Sequence, residues 1–181
     1  MTLVLSVPEE PENAEKSLAA LYQRSKLVEV KPAAQKEVVA FGYTNIGTPG
    51  TVVSNKHIAD LDIYQLEFSN GVKVNYKQTD FDKNQILISS SFGTGKLGMP
   101  QDKSGLDMLG GAVGNGGGVG KDGVDDLRTI LAGKNVGVGI GIGDDSFSLG
   151  GATTPDDLEL QLQLMCAYLT DPGFRPEAER Q

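Results

Sequence analysis

Between Asn135 and Gly143 every second residue is glycine, in the run Asn135-Val136-Gly137-Val138-Gly139-Ile140-Gly141-Ile142-Gly143. Strict alternation of β-branched residues with glycine is a strand pattern. One face of this strand is valine and isoleucine. The other has no side chains, so a neighbouring element can pack unusually close there. Asp144-Asp145 is expected to turn the chain, with Ser146 to Gly151 returning as an antiparallel partner.

The elements around this strand follow from period and punctuation. Val52 to Ile58 starts as a strand. Ile63, Leu66, Phe68, Val72, Val74 and Tyr76 belong to two extended runs split by Asn70-Gly71, a pair that accepts positive φ at both positions and predicts a type I′ hairpin. Asn84 to Phe92 is the next strand. Ser104 is placed to cap a helix beginning at Gly105, with Leu106, Leu109 and Val113 inward. Glycines at 110, 111, 114, 116, 117, 118 and 120 predict that this helix is short or distorted, because each interior glycine costs up to about 1 kcal/mol relative to alanine. Asp122 precedes a further helix carrying Val124, Leu127, Ile130 and Leu131, which Gly133 closes. Thr154 and Pro155 open the last helix, Asp156 and Asp157 meet the positive end of its dipole, and its inner stripe reads Leu158, Leu162, Met165, Cys166 and Leu169.

Upstream, Thr2 to Val7 reads as a short strand and Glu12 to Lys26 as an amphipathic helix with Asn13 as a cap. Pro32, Gly42, Gly47, Pro49 and Gly50 break residues 27–50 into a linker or embracing arm, with a brief strand over Val38 to Phe41. The expected organisation is a tail and linker over residues 1–50 and an α+β domain over residues 51–181. In that domain a mostly antiparallel sheet carries helices on one face.

Composition removes several function classes. A formal net charge of -8 and a pI near 4.6 argue against nucleic acid, since the basic residues are scattered. The single cysteine, Cys166, excludes an internal disulfide and lies in an apolar run. Leu3 to Val7 is too short for a signal peptide, and no apolar run reaches membrane-spanning length.

A more specific reading comes from Phe68-Ser69-Asn70-Gly71-Val72, Gly105-Leu106, Thr154-Pro155-Asp156-Asp157-Leu158 and Leu169-Thr170-Asp171-Pro172. Together, from about Leu61 to Arg180, these framework motifs resemble the insulinase/pitrilysin family of zinc peptidases. The resemblance implies half of an insulinase-family domain, of the LuxS/mitochondrial processing peptidase-like kind, that stops short of the family's later strands and helices. In that family Gly-Leu opens a helix bearing His-x-x-Glu-His, whose two imidazoles bind zinc and whose carboxylate is the general base. Carried over residue by residue, the first His falls on Met108, the Glu on Gly111 and the second His on Ala112. No catalytic, metal or cofactor residue is therefore expected here, and zinc belongs to another domain of the parent protein. Glu177 and Glu179 lie near where the family's third ligand falls, but without the two imidazoles they have no metal to hold.

Other signals are weaker. His57 is the only histidine and has no cysteine or acidic cluster at ligand spacing. Gly93-Thr94-Gly95-Lys96-Leu97-Gly98 matches G-x-G-x-x-G but does not run straight into a helix, and Asn115 to Lys121 misses the P-loop at its first glycine and its final hydroxyl. The pairs Asp125-Asp126, Asp144-Asp145 and Asp156-Asp157 have helix-dipole or turn explanations, and Ser146 and Ser148 lack a histidine base. In the family that the chain resembles, substrate peptide adds as a strand to a sheet edge near the zinc helix, and the resemblance places that edge on the Val136 to Ile142 strand.

The expectation is a non-catalytic fragment of a zinc-dependent metallopeptidase that helps wall a substrate-enclosing chamber. Its partners are other peptidase-like domains of the same polypeptide and extended peptides, not nucleic acid or membrane. The compartment is left open by the sequence, with a periplasmic or secreted parent compatible. The alternative is a stand-alone peptide-binding or assembly module without peptidase activity.

Overall fold

The computed structural model describes Val4 and residues 13–30, 40–100 and 102–180, without the side chains of 179 and 180. The chain forms two compact units, Met1–Glu37 and Val38–Gln181. In the first, α1 (Ala14–Lys26) starts after Asn13, whose backbone is left-handed (φ 55°) and whose side chain makes no cap bond. The strand expected over Thr2 to Val7 lies, apart from Val4, outside the described residues, as do Val38 and Val39. Ala40 and Phe41 are not in a strand.

The second unit opens with an antiparallel sheet of β1 (Val52–Ile58), β2 (Ile63–Phe68) and β3 (Lys73–Tyr76), in that order. The β2–β3 hairpin stands where Asn70-Gly71 predicts it, but its turn differs. Only Gly71 has positive φ (86°), and its N–H donates to the Phe68 carbonyl at 2.9 Å. The three-residue loop uses one left-handed glycine instead of the two positive-φ positions of type I′.

Then follow β4 (Ile86–Phe92), a 3₁₀ turn (Gly95–Gly98), α2 (Leu106–Gly116), α3 (Val124–Ile130), β5 (Gly139–Ile142) and β6 (Phe147–Thr153). A second 3₁₀ turn (Pro155–Asp157) leads into α4 (Leu158–Thr170), and a last one spans Pro176–Arg180. The strand order is β4-β6-β5, all antiparallel. The architecture is α+β, built on two small sheets rather than one.

The core lies on one face of the second sheet. Leu149 of β6, Leu127 of α3 and Leu164, Met165, Ala167 and Tyr168 of α4 are buried together, with Ile88, Val136, Val138 and Ile140 packed against them. Leu87, pointing the other way, is 75% exposed. The arm contributes as well: Phe41 is buried in this cluster and Tyr43 packs on it. The Tyr43 hydroxyl donates to Asp171 at 2.6 Å and accepts from the Lys121 N–H at 2.9 Å. Burial, followed by the Asp171 carboxylate, raises the Tyr43 pKa, so the hydroxyl stays a donor at neutral pH.

Three expectations about faces are corrected. Leu109 is 49% exposed rather than inward, and the inward side of α2 carries Gly110 and Gly114. A Cβ on Gly110 would stand 3.3 Å from Ile142 Cδ1, and one on Gly114 3.1 Å from Ile140 Cδ1. The isoleucine face of β5 thus fits into a groove of bare helix backbone. Second, within 4 Å the glycine face of β5 meets only its ladder partners: a Cβ built on Gly139 would stand 3.9 Å from the Gly150 carbonyl, and one on Gly141 would meet the Ser148 side chain. Third, the buried side of α4 includes Gln161, Gln163, Leu164 and Met165, while Leu162 (43%) and Leu169 (48%) are exposed. Ser104, Asp122 and Thr154 make no side-chain cap bonds to the helices they precede.

Gln161 is fully buried and satisfies both backbone groups of Gly137. Gln161→Leu keeps the volume but leaves an N–H and a carbonyl unpaired, so it is expected to destabilise by about 2–4 kcal/mol. Leu162→Gln, one residue along, is expected to change stability by no more than about 0.5 kcal/mol. Urea midpoints of the two variants check the pair.

Candidate functional site

The resemblance directs attention to α2, where it places Met108, Gly111 and Ala112. Gly105 precedes the helix in the left-handed region (φ 82°), and Asp107 in its first turn faces the Lys96 ammonium at 3.5 Å. Met108 is 79% exposed, Ala112 is exposed, and nothing lies within 4 Å of a Cβ built on Gly111. The outer face of α2 therefore offers a thioether, a hydrogen and a methyl. This donor set does not fit zinc, which takes imidazole, thiolate or carboxylate ligands. Among the described residues no three His, Cys, Asp or Glu side chains are grouped to hold a metal.

The segment running into β5 carries more structure than its sequence suggests. The ladder to β6 pairs Gly139–Ile142 with Gly150–Phe147. The strand expected from Val136 is therefore shortened at its start, because side chains replace the missing strand partners. Asp157 Oδ2 accepts the Asn135 N–H at 2.8 Å. Gln161 Oε1 accepts the Gly137 N–H at 2.9 Å, and its Nε2 donates to the Gly137 carbonyl at 2.8 Å. On the outer edge, Asn115 Oδ1 accepts the Ile140 N–H at 2.8 Å and Nδ2 donates to the Ile140 carbonyl at 3.0 Å.

The other sequence signals are dispersed and internally engaged. His57 sits on β1, its Nε2 2.8 Å from Asp62 Oδ1 and its ring stacked on Tyr64 (4.3 Å), which in turn stacks on Tyr76 (4.9 Å) across the strands. In the Gly93–Gly98 loop, Lys96 N–H and Leu97 N–H donate to the carbonyls of Gly143 and Asp144, both at 3.0 Å. Those amides are spent on the β5–β6 turn and cannot cradle a phosphate. The Asn115–Lys121 stretch points its carbonyls inward: Arg175 donates to Gly117, to Val119 at 2.7 Å and to Gly120 at 2.9 Å. A loop offering carbonyl oxygens to a guanidinium is the electrostatic inverse of an anion site.

The carboxylates are separate as well. Asp125 pairs with Arg128 at 2.9 Å, Asp144 with Lys96 at 3.3 Å, and Asp145 accepts from Ser146 Oγ at 3.1 Å. Asp157 is also met by the Lys134 ammonium at 3.3 Å. Glu177 lies exposed in the last turn, and the Glu179 side chain is outside the described residues. Asn115, Gln161 and Arg175 carry the local architecture, yet pattern reading passes over them. The one signal available was the alternation of Leu158, Leu160, Leu162 and Leu164 with Glu159, Gln161 and Gln163, which no helix face can sort into apolar and polar sides.

The class defined by this fold is an α+β chain with two small antiparallel sheets and, among the described residues, four helices, similar to fragments of insulinase-like peptidases. Two solved structures carry the likeness. One is a mutant of the ferredoxin protease FusC in complex with Arabidopsis ferredoxin, with TM-score 0.67 and 15% identity over 98% of this chain and 20% of that one. The other is the periplasmic protease PqqL from Escherichia coli, with TM-score 0.63 and 22% identity over 88% of this chain and 17% of that one. At these identities the likeness is one of fold, and the chain spans about a fifth of the length of either protease. No protein-family model and no curated protein matches the sequence. No helix among the described residues is long and apolar enough to cross a membrane.

Two predictions follow from this geometry. Gly111→Ala meets open space inside a helix and is expected to raise stability by up to about 1 kcal/mol, whereas Gly114→Leu drives into Ile140 and is expected to cost about 1–3 kcal/mol; thermal denaturation separates them. The second concerns acid. The Asn135 N–H, helped by Lys134, holds the Asp157 carboxyl below its ordinary value of 3.8, with desolvation opposing. A depressed folded pKa means the contribution is present above the unfolded value and is lost as pH falls through the folded one. Urea midpoints should fall below about pH 4 in the wild type, and less steeply in Asp157→Asn.

Proposed function

We propose that this chain is a non-catalytic, peptidase-like domain of a larger zinc-dependent peptidase, and that it forms part of the wall of a chamber enclosing a polypeptide substrate. The observation that carries the reading is a peptidase-type framework whose helix α2 carries the exposed Met108 and Ala112 and the half-buried Gly111 where the resemblance puts two imidazoles and a carboxylate. None of the three can bind zinc or take a proton from water. Zinc and general base then belong to another domain of the same polypeptide, and the partners of this one are its sister domains and the enclosed peptide. The matched proteases are about five times longer than this chain, which supports the multi-domain reading. That PqqL is described as periplasmic supports a periplasmic or secreted parent.

The stand-alone peptide-binding module has less support, since Asn115 occupies the edge where a peptide strand would pair. A His-x-x-Glu-His elsewhere in the full polypeptide favours the peptidase parent, and its absence favours the module.

The purified chain is expected to hold only substoichiometric zinc by elemental analysis and to leave unfolded casein intact. One zinc per chain, together with hydrolysis that a chelator abolishes, overturns the proposal.

A further inference from the structure

The outer edge of β5 has the chemistry of a strand-addition site, and its centre is already filled. The ladder fixes which groups point outward. The Gly143 N–H donates to the Ser146 carbonyl at 2.9 Å, so 143 and 146 are a hydrogen-bonded pair. Antiparallel pairing alternates, which makes Gly141–Ser148 and Gly139–Gly150 hydrogen-bonded pairs too. Ile140 and Ile142 therefore turn their N–H and carbonyl groups away from β6. An edge of this kind is a template for another strand.

Asn115 answers Ile140 with the same donor–acceptor pair that a strand residue would present. Its Oδ1 lies 2.8 Å from the Ile140 nitrogen and its Nδ2 3.0 Å from the Ile140 oxygen. The second Nδ2 hydrogen goes to the Gly111 carbonyl at 2.8 Å, tying the amide to the α2 backbone. Every donor of the side chain is used, which fixes its orientation. The bare Gly110–Gly114 face lets α2 sit close enough to β5 for a short asparagine to reach. Asn115 is itself exposed, so its side chain can swing out without opening the core.

We infer that Asn115 is a latch: its amide stands in for one residue of an added strand and bars an extended polypeptide from pairing along β5 until it is displaced. This rests on the geometry alone and holds whether or not the parent protein is a peptidase. The occupant that the open edge would take is an extended peptide strand, held through its backbone at Ile140 and Ile142, with little demand on its side-chain sequence.

Amide exchange and peptide binding test it on the purified chain. In the wild type, the Ile140 N–H is expected to exchange about three- to tenfold more slowly than the Ile142 N–H on the same edge, the worth of one hydrogen bond. In Asn115→Ala the Ile140 rate should rise to match Ile142, while the Gly137 N–H, held by Gln161, stays protected and reports that the fold is intact. A fluorescein-labelled, lysine-flanked peptide of alternating valine and threonine, followed by anisotropy, should bind Asn115→Ala about three- to tenfold more tightly than wild type, the same factor by which the latch protects the Ile140 N–H. Asn115→Asp keeps the acceptor for the N–H but cannot donate to the carbonyl, and should fall between the two. Equal exchange of Ile140 and Ile142 in the wild type overturns the inference without any variant. So does equal peptide affinity of wild type and folded Asn115→Ala.

Discussion

A strand that runs past its ladder leaves backbone groups without partners, and the second unit is arranged around how this chain meets that need. Before the ladder begins at Gly139 the partners are side chains, Asp157 for Asn135 and Gln161 for Gly137, and on the ladder's outer edge Asn115 serves Ile140. Two of these three residues are buried, Gln161 completely. A buried amide without a partner costs about 1–3 kcal/mol, so Gln161 and Gly137 require one another. Their reciprocal bonds fix the rotation of α4 about its axis. The rotation then decides which leucines are core and which are surface.

The other half of the arrangement is steric. Ile140 and Ile142 insert against Gly110 and Gly114, where side chains on the helix would force it away. This close approach brings Asn115 to the strand edge. The helix positions that would bear catalytic ligands in the resembling family point outward, occupied by Met108, Gly111 and Ala112. The glycines that weaken α2 as a helix are, on its inner side, what allows it to dock. Arg175 completes the design by gathering the carbonyls of Gly117, Val119 and Gly120, which the short helix leaves behind.

Much of this was legible in the sequence. The order of elements, the hairpin at Asn70-Gly71, the antiparallel return after Asp144-Asp145 and the α+β class all follow from period and turn chemistry. Those signals depend on local backbone preference, which the fold retains. The errors share a cause in tertiary context. The apolar period of α4 selects Leu162 and Leu169 as inner positions, whereas in the fold the buried face is set by Gln161, which that period leaves out. Within α2 the sequence presents its glycines as helix breakers and Leu109 as an inward residue, whereas in the fold the inward side is Gly110 and Gly114. At the candidate site, the loss of ligands at 108, 111 and 112 could be read directly from residue identity. The Asn115 bracket could not, because it joins residues 25 apart through a backbone group.

The central physical claim is that a glutamine side chain takes the place of a strand partner at Gly137. Scalar coupling across hydrogen bonds, measured by NMR on the isotope-labelled chain, tests it most directly. The account predicts a coupling from the Gly137 amide nitrogen to the side-chain carbonyl carbon of Gln161. A coupling from that nitrogen to a backbone carbonyl of β6 instead would mean that the ladder continues, and would contradict it.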